Sequence, residues 1–419
     1  MKINLKFFDI ESDNNDLNIT SDDKNVNVRL NINDIDNYDL MTNMNKIKDL
    51  FNIYNKVSKI NIKFDKNINN EDINKLISKS SDILYNYNEK YKIKMNNISD
   101  ENYNLMKELT IYKNIVMDPN KNPDTYLSYI KARVPINYKI NVETVTKKNY
   151  PLTNAVGTGS KHDSYFVHIY PKKYNKNSKD VYLIGKAITY DSGGLNLKSS
   201  HMAEMKVDMI GSGIITSVLN LLTGIKDYKN NIHLIIPIAE NMISNTATKP
   251  GMVIRTMTGK TVEITDTDAE GRLCIADALE YTNKIIKNKK NSLIIDVATL
   301  TGNTQYITSG VSSIIMGNNI ADTYINDLIN LGEETGEYLD YLKIRKDYLH
   351  HLQTPIADIK NHCDRTRSGC VTAGAFLNYF TSDNVPWIHL DVASSTFINN
   401  IPKSYGINLL FEFLKNLKA

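Results

Sequence analysis

The octapeptide Asp266-Thr267-Asp268-Ala269-Glu270-Gly271-Arg272-Leu273 carries three carboxylates at alternate positions, then a glycine and an arginine. In an extended segment, residues two apart project to the same side, so Asp266, Asp268 and Glu270 would share one face. Like charges held that close are costly unless a cation sits among them. Two readings compete. One is an acidic loop favoured by the dipole at a helix N-terminus, since residues 273–286 have the spacing of an amphipathic helix. The other is half of a metal site, with Arg272 holding an anion beside it. Further ligands elsewhere in the chain decide between them.

Those ligands are present. Lys186 interrupts an apolar run over residues 181–190, and a buried ammonium needs a reason. A salt bridge, a snorkelling stem and a neutral amine on a metal all remain open for it. Asp191 follows beside the Ser192-Gly193-Gly194 turn, and Lys198 is a second cation. Asp208 heads a Gly-containing apolar helix, as an N-cap or as a ligand. Lys186, Asp191, Asp208, Asp268 and Glu270 together offer four carboxylates and a nitrogen. That set can hold two divalent ions about 3.5–4 Å apart. Hard oxygens without thiolate suit Zn, Mn, Co or Mg. The eight histidines form no competing H-E-x-x-H site, and His350-His351 is expected to face solvent. Cys274, in an apolar helix, reads as a buried structural thiol.

The elements that position these residues are legible as alternation. Residues 181–190, 232–239, 293–300 and 387–392 are nearly unbroken apolar runs, the pattern of strands buried on both faces. Helical spacing fills residues 209–222, 273–286, 321–331 and 373–379 between them. An α/β fold follows, with a mixed, largely parallel sheet covered by helices and ligands gathered at the carboxyl ends of its strands. Length of 419 residues suits two domains. Residues 1–104 form a small α/β unit with helices expected over 41–57 and around Ile73–Leu84, and a strand at Ile60, Ile62 and Phe64. It carries no visible chemistry and reads as scaffold or assembly. Residues 105–419 carry the chemistry.

Composition excludes other classes. The chain is 41% hydrophobic and 23% charged with a net charge of +3, so it lacks the electrostatic footprint of a nucleic-acid binder. No early apolar run has the length of a signal peptide or membrane span. Three scattered cysteines argue for a reducing compartment, and a cytoplasmic location is expected.

Six ordered blocks carry a resemblance. Gly185-Lys186…Asp191-Ser192-Gly193-Gly194, Met205-Lys206-Val207-Asp208, Glu240-Asn241-Met242-Ile243-Ser244, Thr267 to Leu273, Asp296 to Gly302, and Trp387-Ile388-His389-Leu390-Asp391-Val392-Ala393 resemble the cytosolic leucine aminopeptidases. The resemblance implies a two-metal exopeptidase. Asp191, Asp268 and Glu270 would bind the more exchangeable metal, and Lys186, Asp191, Asp208 and Glu270 the tighter one. It implies a metal-bridging hydroxide as nucleophile, Lys198 polarising the scissile carbonyl, and Arg272 holding a bicarbonate ion as general base. Substrates would be peptides with a free N-terminus, whose α-amine binds a metal. Met205, Thr299, Leu300, Gly302, Ala393 and Thr396 would line an apolar site for a first residue such as Leu or Met. A homohexamer is implied, with no membrane or nucleic-acid partner.

Three positions depart from the family pattern. Asp266 stands where Asn is usual, and an effect on leaving-group selectivity is expected. Met252 stands for a usual Asp, and Ser394 for a usual Gly, which would narrow the mouth of the first-residue pocket. Two alternatives stay open: a catalytically inactive structural relative, disfavoured by the complete ligand set, and a Cys-Gly dipeptidase.

Overall fold

The computed structural model describes residues 99–363, 369–398 and 400–418 continuously. Within the first 98 residues it describes five short strands and the helical residues 73–74, 77–78 and 81–82. The helix expected over residues 41–57 lies outside the described residues. The chain divides into two compact units, Met1–Asn114 and Ile115–Ala419. That division falls inside the helix Asp100–Met117, about ten residues beyond the change in composition, because the helix runs on past it.

In the first unit the strands Ile10–Glu11, Leu17–Ser21, Asn25–Leu30, Lys59–Phe64 and Lys92–Asn96 form one sheet in that order. The strand Lys59–Phe64 contains the alternating Ile60, Ile62 and Phe64 and pairs in parallel on both sides.

The second unit is built on a nine-stranded sheet. Its strands are β1 (Tyr138–Thr144), β2 (Tyr165–Pro171), β3 (Asp180–Gly185), β4 (Ala187–Asp191), β5 (Asn231–Asn241), β6 (Ser292–Ala298), β7 (Ser313–Gly317), β8 (Leu339–Tyr341) and β9 (Trp387–Asp391). Across the sheet the order is β8-β7-β9-β6-β3-β5-β2-β1, with β4 also paired to β5. The centre, β9-β6-β3-β5, is parallel throughout, while β2 and β7 join it antiparallel. This is the mixed, largely parallel sheet the apolar runs predict. β3, β6 and β9 are buried along their whole length, which only a sheet covered on both faces permits.

Helices α1 (Ile210–Thr223), α2 (Gly271–Ile285), α3 (Asp322–Thr335) and α4 (Gly369–Asn378) supply the cover. The stretch Met202–Thr223 has the length and apolarity to cross a membrane, but 83% of its most apolar window is buried inside the unit. It is a core helix. Its N-terminal turn docks directly on the sheet: a Cβ at Gly211 would lie 2.0 Å from the Val297 carbonyl oxygen and 3.0 Å from the Lys186 amide nitrogen. Glycine there is a packing requirement.

That docking explains the break between β3 and β4. Lys186 leaves the regular ladder; its N–H donates to Val297 O at 3.0 Å, and its carbonyl accepts from Ser212 N at 3.0 Å. The apolar run of residues 181–190 is therefore two strands with the lysine at the joint. A polar side chain at the joint points at the carboxyl edge of the parallel strands, where ligands collect.

Candidate active site

Lys186 is 2% exposed. Its Nζ lies 2.7 Å from Asp208 Oδ1 and 2.9 Å from Glu270 Oε1, and it donates to the Thr299 carbonyl at 2.8 Å. Of the readings open for it, the snorkelling stem is excluded by burial; the ammonium sits in a buried ion pair at the centre of the candidate ligand set. Burial works against that charge, but Asp208, Glu270 and Asp191 outweigh it and hold its pKa above the ordinary lysine value.

One carboxylate oxygen each from Asp191, Asp208 and Glu270 come within 4.8 Å of one another, all buried. Asp208 comes from the turn between the 3-10 helix Met202–Val207 and α1. It is not the N-cap of α1: Met209 holds that position without a side-chain cap. The Asp208 carboxylate instead takes Lys186 and the Thr299 hydroxyl, both at 2.7 Å, on Oδ1. Asp208 Oδ2 is buried with no hydrogen-bond partner among the described residues. Asp268 joins the set through Lys198, whose Nζ lies 2.5 Å from Asp268 Oδ1 and 2.8 Å from Asp191 Oδ2.

Four carboxylates thus face two ammonium groups, and the imbalance is visible in their proton affinities. Burial, with Glu270 beside them, pushes Asp191 up, and burial drives Asp208 well up. Burial and the neighbouring Glu270 and Asp191 carboxylates raise Asp268 to about 7. Burial also disfavours the Glu270 charge, but Lys186 and Lys198 overcome it and keep its pKa low. A buried, oxygen-rich cluster with uncompensated negative charge and an orphaned Asp208 oxygen fits divalent cations.

The octapeptide itself is not extended. Residues 267–268 form a turn, so Asp266 does not share a face with Asp268 and Glu270. Asp266 Oδ1 accepts the Asp268 N–H at 2.8 Å, and Oδ2 lies 3.8 Å from His362 Nε2. The period-two expectation fails because a side chain that bonds the backbone two residues on stabilises a turn. Asp266 organises the ligand loop from outside it.

Arg272 is buried in the first turn of α2 and donates from Nη1 to the Asn361 carbonyl at 2.7 Å. Its Nε has no hydrogen-bond partner among the described residues. Burial lowers its pKa despite Glu270, Asp266 and Asp391 nearby. A buried guanidinium edge with a spare donor fits a small anion.

Of the residues expected to receive a first side chain, Met205, Thr299, Leu300 and Ala393 are half-buried and Gly302 is exposed. Thr396 is buried and spends its hydroxyl on the Val392 carbonyl at 2.7 Å. The Ser394 hydroxyl goes to Ser312 O at 2.9 Å, and Met252 lies in a partly exposed strand. His350 and His351 are exposed as expected, and burial pushes the Cys274 thiol well up, which suits a structural thiol.

Two asparagines outside the candidate residue set hold the site: Asn241, which lies within one of the six resembling blocks, and Asn361. Asn241 ends β5 and donates to Asp191 Oδ1 at 2.8 Å and to Thr267 O at 3.0 Å. Asn361, fully buried, donates to Asp266 O and Ala269 O and accepts from Thr265 N. Asparagine is abundant in this chain; the Glu240–Ser244 block is the signal for Asn241, whereas only tertiary proximity separates Asn361 from the rest.

The profile of the cytosol aminopeptidase family, catalytic domain, matches residues 104–409. The chain belongs to the cytosol aminopeptidase family. A probable cytosol aminopeptidase of Protochlamydia amoebophila is 40% identical over 281 residues, covering 65% of this chain and 54% of that protein. One from Prochlorococcus marinus subsp. pastoris is 36% identical over 277 residues, 62% of this chain and 54% of that protein. The chain therefore aligns with about half the length of these family members. In fold it is similar to the bottromycin maturation enzyme BotP in complex with Mn, with a TM-score of 0.77 and 23% identity over 90% of this chain and 87% of that one.

Proposed function

We propose that the chain is a metal-dependent aminopeptidase that removes Leu- or Met-like residues from peptides with a free N-terminus. The observation that carries this reading is the meeting of Asp191, Asp208 and Glu270 around Lys186, with a buried Asp208 oxygen left over. In this reading Asp191, Asp268 and Glu270 hold one cation, and Lys186, Asp191, Asp208 and Glu270 the other. Such a pair supplies Lewis acidity, acidifying water and polarising a carbonyl. Ligation of Lys186 requires its amine to be neutral, so cation binding displaces a proton from it.

Lys198 contributes the next element. Its side chain is 18% exposed and spans Asp191 and Asp268, so a carbonyl oxygen gaining negative charge there meets a prepositioned ammonium donor. Arg272 holds a bicarbonate as proton acceptor, using its free Nε. Met205, Thr299, Leu300, Gly302, Ala393 and Thr396 receive the first side chain. Assembly into a homohexamer with residues 1–104 as scaffold, and a cytoplasmic location in keeping with the relatives' names, belong to the same proposal.

The test is chelation of the full chain, then refilling with Mn, Zn, Co or Mg and assay on Leu-, Met-, Arg- and Cys-Gly-type substrates. Manganese is the first to try, since BotP is described in complex with it. We expect activity lost on chelation and restored on Leu and Met substrates. Inactivity with every metal would end the enzyme reading in favour of a structural relative, and cleavage of Cys-Gly alone would replace it with a dipeptidase.

A further inference from the structure

Asp391 ends β9 opposite Ala298, the last residue of β6. The loop leaving β6 therefore passes over its carboxylate. The residue is fully buried, and a carboxylate taken from water needs several donors to stay there. It has four. Oδ1 accepts Leu300 N at 3.1 Å, Ala393 N at 3.3 Å and Thr301 N at 3.4 Å; Oδ2 accepts the Thr301 hydroxyl at 2.5 Å. None of these partners is a candidate metal ligand.

The Leu300 N–H and the Thr299 C=O belong to one peptide unit. That unit is planar and trans, so its N–H and C=O point in opposite directions and cannot turn independently. Asp391 grips the N–H end. The C=O end accepts from Lys186 Nζ at 2.8 Å, and the Thr299 hydroxyl holds Asp208 Oδ1 at 2.7 Å. One rigid plane thus connects a buried carboxylate on β9 to Lys186, and the Thr299 side chain at the edge of that plane reaches Asp208.

We propose that Asp391 is a positioning residue for the metal centre: through the Thr299–Leu300 peptide it fixes the carbonyl that orients Lys186, and so sets the affinity of the ligand set for divalent cations. This rests on the two-metal reading of the site. Without Asp391 the peptide plane is free to rotate, and the lysine loses the partner that directs its nitrogen between Asp208 and Glu270. A carboxylate that merely stitched the loop to the sheet would leave the affinity for divalent cations unchanged.

The test is calorimetric titration of the chelated full chain with Mn2+, for wild type, D391A and D391N, beside urea denaturation and kcat and KM of the refilled proteins. Partners behind metal ligands typically change affinity by about 10–100-fold, and that is the rise in Kd expected for D391A. D391N keeps the shape and an acceptor for Leu300 N–H. It loses the charge that roughly doubles a hydrogen bond's strength, so a rise of about threefold or more is expected. In both, kcat falls and KM shifts as well, since Leu300 and Ala393 belong to the proposed first-residue pocket, so the Kd for Mn2+ is the deciding readout. If D391A does not fold, D391N decides. Variants that bind Mn2+ within twofold of wild type, with only stability reduced, would overturn the inference and leave the aminopeptidase reading standing. A wild type that takes up no divalent cation would overturn both.

Discussion

Gly271 is the first residue of α2, directly after Glu270, and replacing it with alanine is a one-carbon probe of the centre. A Cβ there would lie 2.3 Å from Lys186 Cε, 2.7 Å from Nζ and 2.9 Å from Cδ. Carbon atoms in contact sit about 3.5–4.0 Å apart, so the lysine must retreat by about 1 Å or more. It has little freedom to do so, with its side chain 3% exposed and its nitrogen held at 2.7, 2.8 and 2.9 Å. Hydrogen bonds to charged groups are worth about 1.5–3 kcal/mol each, and the retreat breaks at least two. Against this, Gly to Ala inside a helix stabilises by about 1 kcal/mol, leaving a net loss of roughly 2–5 kcal/mol. A shift of about 1 Å in a reacting site costs on the order of 100-fold in rate. We therefore expect G271A to lose stability in urea denaturation and to lose about 100-fold or more in kcat/KM on a leucine anilide after metal refilling. Metal content by atomic emission completes the assay. A G271A protein with wild-type stability, metal content and kcat/KM would refute the reasoning, because the glycine–lysine contact would then have no consequence.

Two further predictions concern Asp277 and Asp266. Asp277 on α2 is fully buried, accepts Thr153 N at 2.7 Å, and is raised by burial from 3.8 to about 8. A carboxyl whose folded pKa is raised stabilises fully below its unfolded pKa, and the contribution is lost as pH rises through the folded value. Wild-type stability should therefore fall relative to D277N between about pH 4 and pH 8, on the order of 1 kcal/mol per pH unit; parallel denaturation curves across that window would contradict the assignment. Asp266 gives the second prediction. D266N keeps an oxygen for the Asp268 amide, so stability should stay within about 0.5 kcal/mol, while rates across a dipeptide panel should shift with the residue on the leaving-group side. Identical kinetics across the panel would remove Asp266 from specificity.

The layered fold was legible because its signal is local. Runs such as residues 232–239 and 293–300 are apolar but for His233, Asp296 and Thr299, and a strand buried on both faces requires that of nearly all its residues. The candidate ligands were legible for a related reason. Lysine in an apolar run and carboxylates spaced along a Gly-flanked loop are anomalies of composition, visible without knowing what lies opposite. Local spacing misled at Asp266, because the period of an extended strand does not hold in a segment that turns; at Asp208 a cap and a ligand look alike in one dimension, and the sequence leaves both readings open.

What the sequence by itself determined is the alternation of strand and helix and the residue types gathered at the strand ends. Tertiary structure decided which of those residues meet. The register of β6 against β9 brings Asp391 under the loop that follows β6. The close approach of α1 to the sheet at Gly211 breaks the strand at Lys186. Asn241 and Asn361 acquire their roles from partners 26 to 95 positions away. Hydrogen bonds of that span are set by how the layers pack, and packing is a property of the whole chain that no window of its sequence contains.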